Sequence, residues 1–262
     1  MPSIFEFQQK KINHEKIVMI TCYDYTSAKI IDKTSIDCVL VGDSLSMVIH
    51  GCNDTTGATM EMMALHTNAV ARGITNKFII ADLPFASYRK SLYKTISAME
   101  ILIRSGAQAV KLEGAAGNLN HIRHAVESGI PVMGHLGLTP QHVNTLGGFK
   151  VQGKDESSHN KLLRDAQLLE EAGCFAIVLE CVPAQLAKEI TNTLSIPTIG
   201  IGAGSDTDGQ VLVMHDMLGL QTQIQPKFLK HYLSGETIFK ESINRYASEV
   251  KTKQYPAIEH SY

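Results

Sequence analysis

The chain carries RSGAQAVKLEG at residues 104–114, and a similar pattern returns as ESGIPVMGHLG at 127–137 and as EAGCFAIVLEC at 171–181. In each stretch a glycine stands where a helix would end in a left-handed residue. An apolar run follows the glycine and ends at or next to a polar side chain. This pattern predicts helices that lead into buried strands with functional groups at the strand ends.

Apolar runs of this kind occur eight times, and longer segments with helical spacing separate most of them. Continuous apolar runs are typical of parallel strands that are covered on both faces. Alternation of strands and helices predicts a parallel sheet. The runs are IVMITC (17–22), DCVLVG (37–42), KFIIAD (77–82), QAVKLE (108–113), IPVMGH (130–135), FAIVLE (175–180), IPTIGI (196–201) and QVLVM (210–214).

Eight candidate strands in 262 residues predict an α/β protein with a single (β/α)8 TIM barrel, which commonly needs about 250 residues. Residues 1–262 are interpreted as one catalytic domain, because no linker rich in Pro, Gly or Ser divides them. An open doubly wound sheet is the alternative architecture, since one wrongly assigned strand would make the two architectures hard to distinguish from the sequence.

Composition excludes several classes of protein. The chain is 44% hydrophobic and 19% charged with a formal net charge of -2, so we expect a folded protein that does not bind nucleic acid. No apolar run is long enough to span a membrane, and residues 1–16 lack the apolar core of a secretory signal. The cysteines form no Cys-x-x-Cys pair. We therefore expect a cytoplasmic protein with reduced thiols.

Acidic residues follow three neighbouring strands of the predicted barrel. Asp43, Asp82 and Glu113 stand at or just after the ends of strands two, three and four, and active sites of barrels collect at these carboxyl ends. Three crowded carboxylates would repel one another, and a divalent cation removes that cost. Oxygen ligands favour Mg²⁺ over Zn²⁺. The alternative is that each acid caps a helix or pairs with a lysine.

Three further polar residues belong to strands four to six. Lys111 shares a strand face with Glu113 and is a candidate to bind a substrate carboxylate, or else to pair with an acid. His135 is a candidate hydrogen-bond donor to substrate or a metal ligand. Glu180 lies two strands further round the barrel than Glu113, which leaves it free to act as a general base.

The sequence resembles the ketopantoate hydroxymethyltransferase family over about residues 5–260. The similarity comprises many short stretches in the family's order, and their combination is specific. They are TCYDYTSA (21–28), LVGDSL (40–45), ADLPF (81–85), VKLEG (110–114), GHLGLTPQ (134–141), GGFKVQG (147–153), LECVP (179–183), IGIGAG (199–204) and DGQVLV (208–213). The chain departs from the family pattern at Ser35, before strand two, and at Ser46 and Gly57, both on the loop after strand two.

The resemblance implies a (β/α)8 barrel that binds Mg²⁺, assembles as a homodecamer and uses 5,10-methylenetetrahydrofolate as a one-carbon donor. Its partners would be small molecules, with no nucleic acid and no membrane. By residue-by-residue correspondence, the metal-associated acids are Asp43, Asp82 and Glu113. Contacts to the oxo acid are Asp43, Ser44, Asp82 and Lys111, with His135 as a further substrate contact, and Glu180 is the proton acceptor.

The implied reaction transfers a hydroxymethyl group to 3-methyl-2-oxobutanoate through a Mg²⁺-stabilised enolate, as the first step of pantothenate synthesis. One alternative is another Mg²⁺-dependent barrel enzyme that acts on 2-oxo acids, such as a lyase or mutase. The other is a barrel that binds ligands without catalysis.

Overall fold

A computed structural model describes residues 3–221 and 226–262 of the chain. They divide into two compact units, one ending at Val213 and one beginning at Met214. The first unit contains all the predicted strand segments except Met214, the last residue of the segment 210–214. The second unit is helical. The interpretation of residues 1–262 as one catalytic domain stays a prediction.

The first unit is a closed barrel of parallel strands in the order β1 to β8. All eight predicted strands are present, and the fold prediction is confirmed. The open-sheet alternative is excluded because β1 pairs with β8, with Ile17 opposite Gly209. The strands are β1 (Ile17–Thr21), β2 (Cys38–Val41), β3 (Phe78–Asp82), β4 (Ala109–Glu113), β5 (Val132–Gly137), β6 (Ala176–Glu180), β7 (Thr198–Ile201) and β8 (Gly209–Leu212).

One helix of the described residues, α1, precedes β1, and further helices link most of the strands. Side-chain caps start several of them: Asp24 accepts a hydrogen bond from the Ser27 amide at 2.9 Å, and Asp155 accepts one from the Ser158 amide at 2.9 Å, which satisfies amides that a helix leaves free. The helices are α1 (Ile4–Ile12), α2 (Tyr25–Ile31), α3 (Leu45–Val48), α4 (Met60–Gly73), α5 (Leu92–Arg104), α6 (Leu119–Glu127), α7 (Val143–Leu146), α8 (Glu156–Glu171) and α9 (Ala184–Thr193).

The glycines that the repeated stretches place before strands adopt left-handed backbone. Gly106, Gly129 and Gly173 have φ values of 108°, 84° and 97°. This conformation is unfavourable for residues with a Cβ. The helix-ending role that the sequence predicts for these glycines is confirmed.

The connection between β7 and β8 contains no helix. Residues 202–208 join the two parallel strands, whereas such a crossover usually takes about a dozen residues or more. Two lysines that precede β1 contact this segment. Lys16 Nζ donates to Ser205 O at 3.2 Å, and Lys11 Nζ lies 2.8 Å from Asp208 Oδ2. The alternation of strand and helix that the sequence suggests is therefore incomplete at its last step.

Aromatic packing fills the amino-terminal end of the barrel. The Phe7 ring of α1 packs edge-on against Phe78 and Phe175, with ring centroids 5.3 Å apart in both pairs. Phe78 begins β3 and Phe175 precedes β6. The polar residues at the strand ends thus lie at the opposite end of the barrel.

The second unit contains α10 (Met214–Met217) and α11 (Gly235–Lys251). No helix among the described residues is both long and apolar enough to cross a membrane. The five cysteines all carry free thiols.

Candidate active site at the carboxyl ends of the strands

The strands bring the predicted site residues to one end of the barrel. Asp82, Glu113 and Glu180 are the last residues of β3, β4 and β6, and Asp43 follows β2 by two positions. His135 lies directly opposite Glu113 in the register of β4 and β5. Parallel strands place their carboxyl ends on one rim, and the ion pairs and hydrogen bonds below join these residues into one cluster.

Lys111 and Asp82 form an ion pair inside the barrel. The two residues are register partners on β3 and β4, and Lys111 Nζ lies 2.6 Å from Asp82 Oδ1. Burial lowers the pKa of Lys111, but Asp82 and Asp43 raise it by more, so the net shift is upward. Lys111 is therefore a fixed ammonium that faces the acids. The sequence left open whether Lys111 binds a substrate carboxylate or pairs with an acid, and the structure shows the pair with Asp82.

Asp43 is buried close to the other acids. Its backbone amide donates to Asp82 Oδ2 at 3.1 Å, and its own carboxylate accepts from Gln141 Nε2 at 2.7 Å. Burial raises the pKa of Asp43 well above its usual range, and the charges of Asp82 and Glu113 raise it further. The single ammonium of Lys111 does not offset this concentration of negative charge, which a bound cation would relieve.

Glu113 is held by two imidazoles and one amide. Its Oε1 lies 3.4 Å from His135 Nδ1, and its Oε2 lies 3.5 Å from His142 Nδ1 and accepts from the Gln141 amide at 3.1 Å. Burial raises the pKa of Glu113, but His135 and His142 lower it by more, to about 2. Glu113 is therefore ionised at neutral pH with both oxygens engaged.

His135 connects Glu113 to Glu180. His135 Nε2 lies 3.2 Å from Glu180 Oε2, and the Glu180 side chain is 17% exposed whereas that of His135 is 3% exposed. Burial and Lys111 lower the pKa of His135, but Glu113 and Glu180 raise it by more, to about 9. Glu180 is thus apart from the buried acids, as its strand position predicts, yet a charged imidazole joins it to them.

Ser44 lies at the edge of this cluster, directly before α3. Its Oγ is 2.7 Å from the Tyr23 hydroxyl. Ser46, one of the departures from the family pattern, is fully buried and donates from Oγ to Asp54 O at 2.9 Å. A Cβ at Gly57, another departure, would lie 2.8 Å from Cys52 Sγ. These contacts of both positions are therefore with the segment between β2 and α4 and not with the acids of the cluster.

Sequence reasoning missed Gln141 and Tyr88. Gln141 Nε2 donates to both Asp43 Oδ2 and Leu83 O, and Tyr88 donates from its hydroxyl to Gln141 Oε1 at 2.7 Å. Gln141 stands in the quoted stretch GHLGLTPQ, directly after a proline in a loop. Its position as a polar residue shortly after a strand end, within a stretch shared with the family, could have identified Gln141 as a site residue.

The donor set fits a magnesium ion that takes part of its coordination from water or substrate. The Asp43 backbone amide contacts Asp82 Oδ2 at 3.1 Å, which places the two acids side by side, and Mg²⁺ in enzymes is typically held through one or two carboxylates. Within residues 3–221 and 226–262, no three His, Cys, Asp or Glu side chains enclose a metal position by themselves. The raised pKa of Asp43 is the observation that favours a cation here.

Comparison with known proteins gives a family and a fold. The profile of the ketopantoate hydroxymethyltransferase family matches residues 2–258. A protein of Francisella tularensis subsp. tularensis (strain WY96-3418) named 3-methyl-2-oxobutanoate hydroxymethyltransferase is 58% identical over 262 residues, which is 100% of this chain and 99% of that protein. A protein of the same name from Coxiella burnetii (strain CbuK_Q154) is 58% identical over 98% of this chain and 97% of its own length.

Solved structures of low sequence identity share the barrel. A phosphonopyruvate hydrolase in complex with oxalate and Mg²⁺ has a TM-score of 0.65 at 10% identity, and the match covers 99% of this chain and 93% of that one. A 2,3-dimethylmalate lyase of the PEP mutase/isocitrate lyase superfamily has a TM-score of 0.61 at 16% identity, with 84% and 83% covered. At such identity these likenesses establish the fold alone.

Proposed function

The chain belongs to the ketopantoate hydroxymethyltransferase family, and we propose that its buried acidic cluster is the site of that family's reaction. The enzyme transfers a hydroxymethyl group to 3-methyl-2-oxobutanoate and forms 2-dehydropantoate. The observation that carries the site assignment is the separation of one partly exposed carboxylate, Glu180, from a buried group of acids by a single imidazole, His135.

Lys111 and Ser44 bind the carboxylate of the oxo acid. The Lys111 ammonium is held by Asp82 and supplies a fixed positive charge, and the Ser44 hydroxyl is oriented by Tyr23. Groups that are already in place reduce the entropic part of the barrier when substrate binds. We assign the remaining oxo-acid contacts to Asp43 and Asp82, which lie beside Lys111.

Asp43 and Asp82 would hold Mg²⁺, with Glu113 behind them as a third acid. Glu113 already faces His135, His142 and the Gln141 amide, which favours an outer position for it. When bound, the ion supplies Lewis-acid stabilisation of the negative charge that develops on the keto oxygen.

Glu180 takes the proton from C3 of the oxo acid. Its carboxylate is the acid of the cluster most open to a ligand, and His135 holds one of its oxygens at 3.2 Å. The resulting carbon nucleophile forms the new C–C bond at the methylene carbon of 5,10-methylenetetrahydrofolate, whose two bonds to folate nitrogen break. Water supplies the oxygen and one proton of the hydroxyl group; its other proton and the proton taken by Glu180 go to the two nitrogens of the leaving tetrahydrofolate. His135, a charged imidazole beside this position, is assigned as a donor to a substrate or product oxygen.

The site assignment is tested by hydrogen exchange. The protein is incubated with 3-methyl-2-oxobutanoate in D₂O, and loss of the C3–H signal is followed by NMR with Mg²⁺ and with EDTA. We expect exchange only with Mg²⁺, and Glu180→Gln to slow it by roughly 10²–10⁴-fold, the range that a general base contributes. Glu189→Gln is the matched control, since Glu189 also pairs with an imidazole, that of His159, at 3.0 Å on the surface.

Each arm of this experiment has an opposing outcome. Exchange that persists in EDTA overturns the role of the metal, and exchange that is unchanged in Glu180→Gln overturns the assignment of the base. Rapid carbon–carbon cleavage without use of methylenetetrahydrofolate would indicate a lyase. Binding of the oxo acid with no exchange would indicate a barrel without catalysis.

The assembly and cellular location belong to the same proposal. The second unit exposes Phe239 and Ile243 on α11, apolar surface of the kind that subunit contacts cover, which supports a homo-oligomer and, by family resemblance, a decamer. Five free thiols favour the reducing cytoplasm. Light scattering after gel filtration measures the assembly, and a mass other than that of ten chains overturns the decamer.

A further inference from the structure

Two histidines meet on the surface of the barrel unit, apart from the acidic cluster. His50 follows α3 and is exposed, whereas His66 lies within α4 and is half-buried. Their Nε2 atoms are 2.9 Å apart, and the two rings are nearly perpendicular at 87°. The proposed reaction uses neither side chain.

The backbone fixes the tautomer of His66. Its Nδ1 lies 2.6 Å from Tyr23 O, and a carbonyl oxygen only accepts, so Nδ1 carries a proton. In the neutral ring Nε2 then presents its lone pair toward His50. Ligating histidines are commonly oriented in this way, by donation from the other ring nitrogen to a carbonyl or carboxylate. His66 is therefore oriented as a metal ligand before any metal binds.

The spacing of the two nitrogens matches adjacent positions around a metal ion. With metal–nitrogen bonds of about 2.0–2.1 Å, two ligands at a right angle are about 2.9 Å apart, and two tetrahedral ligands about 3.4 Å apart. The observed 2.9 Å corresponds to the right-angle case. Square-planar or tetragonal nitrogen coordination is typical of Cu²⁺ and Ni²⁺. His50 is exposed and free to turn its lone pair toward a shared ion.

We propose that His50 and His66 form a second metal site, which takes a divalent first-row transition-metal ion through the two Nε2 atoms, with water in the other positions. Imidazole nitrogen selects such ions over Mg²⁺, which prefers oxygen. The site is therefore chemically distinct from the acidic cluster.

An ion at this position would bridge the segment between α3 and α4. His50 follows α3 by two residues and His66 lies within α4, so the bridge encloses residues 51–65, which include the loop 51–59. That loop follows Ser44, and the carbonyl that orients His66 belongs to Tyr23, whose hydroxyl contacts Ser44. Binding is thus expected to stabilise the folded protein and to order the loop after β2.

The test is calorimetric titration of the full-length protein with Ni²⁺ in excess Mg²⁺, run in parallel on variants that leave the acidic cluster unchanged. We expect one Ni²⁺ per chain beyond any taken up by the acidic cluster, and a rise in melting temperature on binding. His50→Gln keeps a donor toward His66 but removes one ligand. We expect it to weaken Ni²⁺ binding by roughly tenfold or more, since even outer-shell changes cost about 10–100-fold in metal affinity.

His159→Gln is the matched control, because His159 is another imidazole in a surface pair, with Glu189 at 3.0 Å. It is expected to bind Ni²⁺ as the unmodified protein does. Equal Ni²⁺ affinity in the unmodified protein and in His50→Gln overturns the proposal, as does the absence of any binding. His66→Gln is a second variant that should lose both the Ni²⁺ heat and the rise in melting temperature.

Discussion

The side-chain amide of Gln141 donates a hydrogen bond to Asp43 Oδ2 at 2.7 Å. The same nitrogen donates to Leu83 O, and the Gln141 backbone amide donates to Glu113 Oε2. Tyr88 donates to the amide oxygen, which fixes the orientation of the NH₂ group toward Asp43. Gln141, from the segment after β5, thereby links Asp43 after β2, Leu83 after β3 and Glu113 at the end of β4.

Gln141→Met should weaken Mg²⁺ binding while the barrel stays folded. The change removes the donor to Asp43 without adding a charge, so Asp43 loses its orientation. Changes of this type, in a residue that orients a metal ligand, typically cost about 10–100-fold in metal affinity, which is measured as the Mg²⁺ concentration for half-maximal C3–H exchange. Gln152→Met is the control, since Gln152 donates to Lys150 O away from the acids. An unchanged Mg²⁺ requirement in Gln141→Met would contradict this role.

The contrast between Asp82 and Gln141 shows what the sequence reveals and what it does not. Asp82 ends an apolar run, and the barrel rule alone places it at the site. Gln141 lies beyond β5, and its role depends on contacts with Asp43, Leu83 and Glu113, which are distant in sequence. Local sequence therefore does not reveal it. The missing helix between β7 and β8 is a similar case, because nothing local indicates that residues 202–208 suffice for the crossover.

Lys111→Met should destabilise the protein and raise KM for the oxo acid. Asp82 would be left buried without its partner, and removal of one member of a buried ion pair costs about 3–5 kcal/mol. Urea unfolding measures the loss, and excess Mg²⁺ should reduce it by supplying another positive charge. Lys161→Met removes an exposed pair with Asp165 and should change stability by less than about 1 kcal/mol. Equal effects of the two variants would refute the structural role of Lys111.

His135 should make stability depend on pH above neutrality. Its pKa is raised to about 9 in the folded protein, against about 6.5 in an unfolded chain. Its stabilising contribution is therefore complete below about pH 6.5 and is lost as the pH rises through about 9. The difference in unfolding free energy between the unmodified protein and His135→Gln should shrink over this range by up to about 3 kcal/mol. A difference that stays constant from pH 6 to 10 would show that His135 is not charged.

Thiol labelling should separate the cysteines into fast and protected groups. Burial raises the pKa of Cys22 and Cys174 to about 12, and the pKa of buried Cys38 is also raised. Cys181 is half-buried, and burial raises its pKa to about 11, so it should react slowly. The thiolate is the reacting form, so the raised pKa of these four thiols slows their reaction, and half-buried Cys52 should account for the fast phase with a disulfide reagent at pH 8.

Cys52→Ser provides the check on this assignment. The variant should lose the fast labelling phase and keep the slow one, and the remaining thiols should appear only after unfolding in urea. A fast phase that survives in Cys52→Ser would show that one of the other four thiols reacts quickly and would contradict the assignment to Cys52.

Gly137→Ala should disturb the proposed base through the backbone. Gly137 is the register partner of Glu180, has φ of 91°, and leaves no space for a side chain, because a Cβ would lie 2.2 Å from Glu180 O. Gly129→Ala is the control: its φ is 84°, yet a Cβ there meets nothing within 4 Å. Both variants carry the cost of left-handed alanine, about 1–2 kcal/mol, but only Gly137→Ala must also displace Glu180.

We therefore expect both variants to lose stability, Gly137→Ala by more, and C3–H exchange to fall in Gly137→Ala alone. Equal exchange rates in the two variants would show that the backbone at Gly137 does not position Glu180.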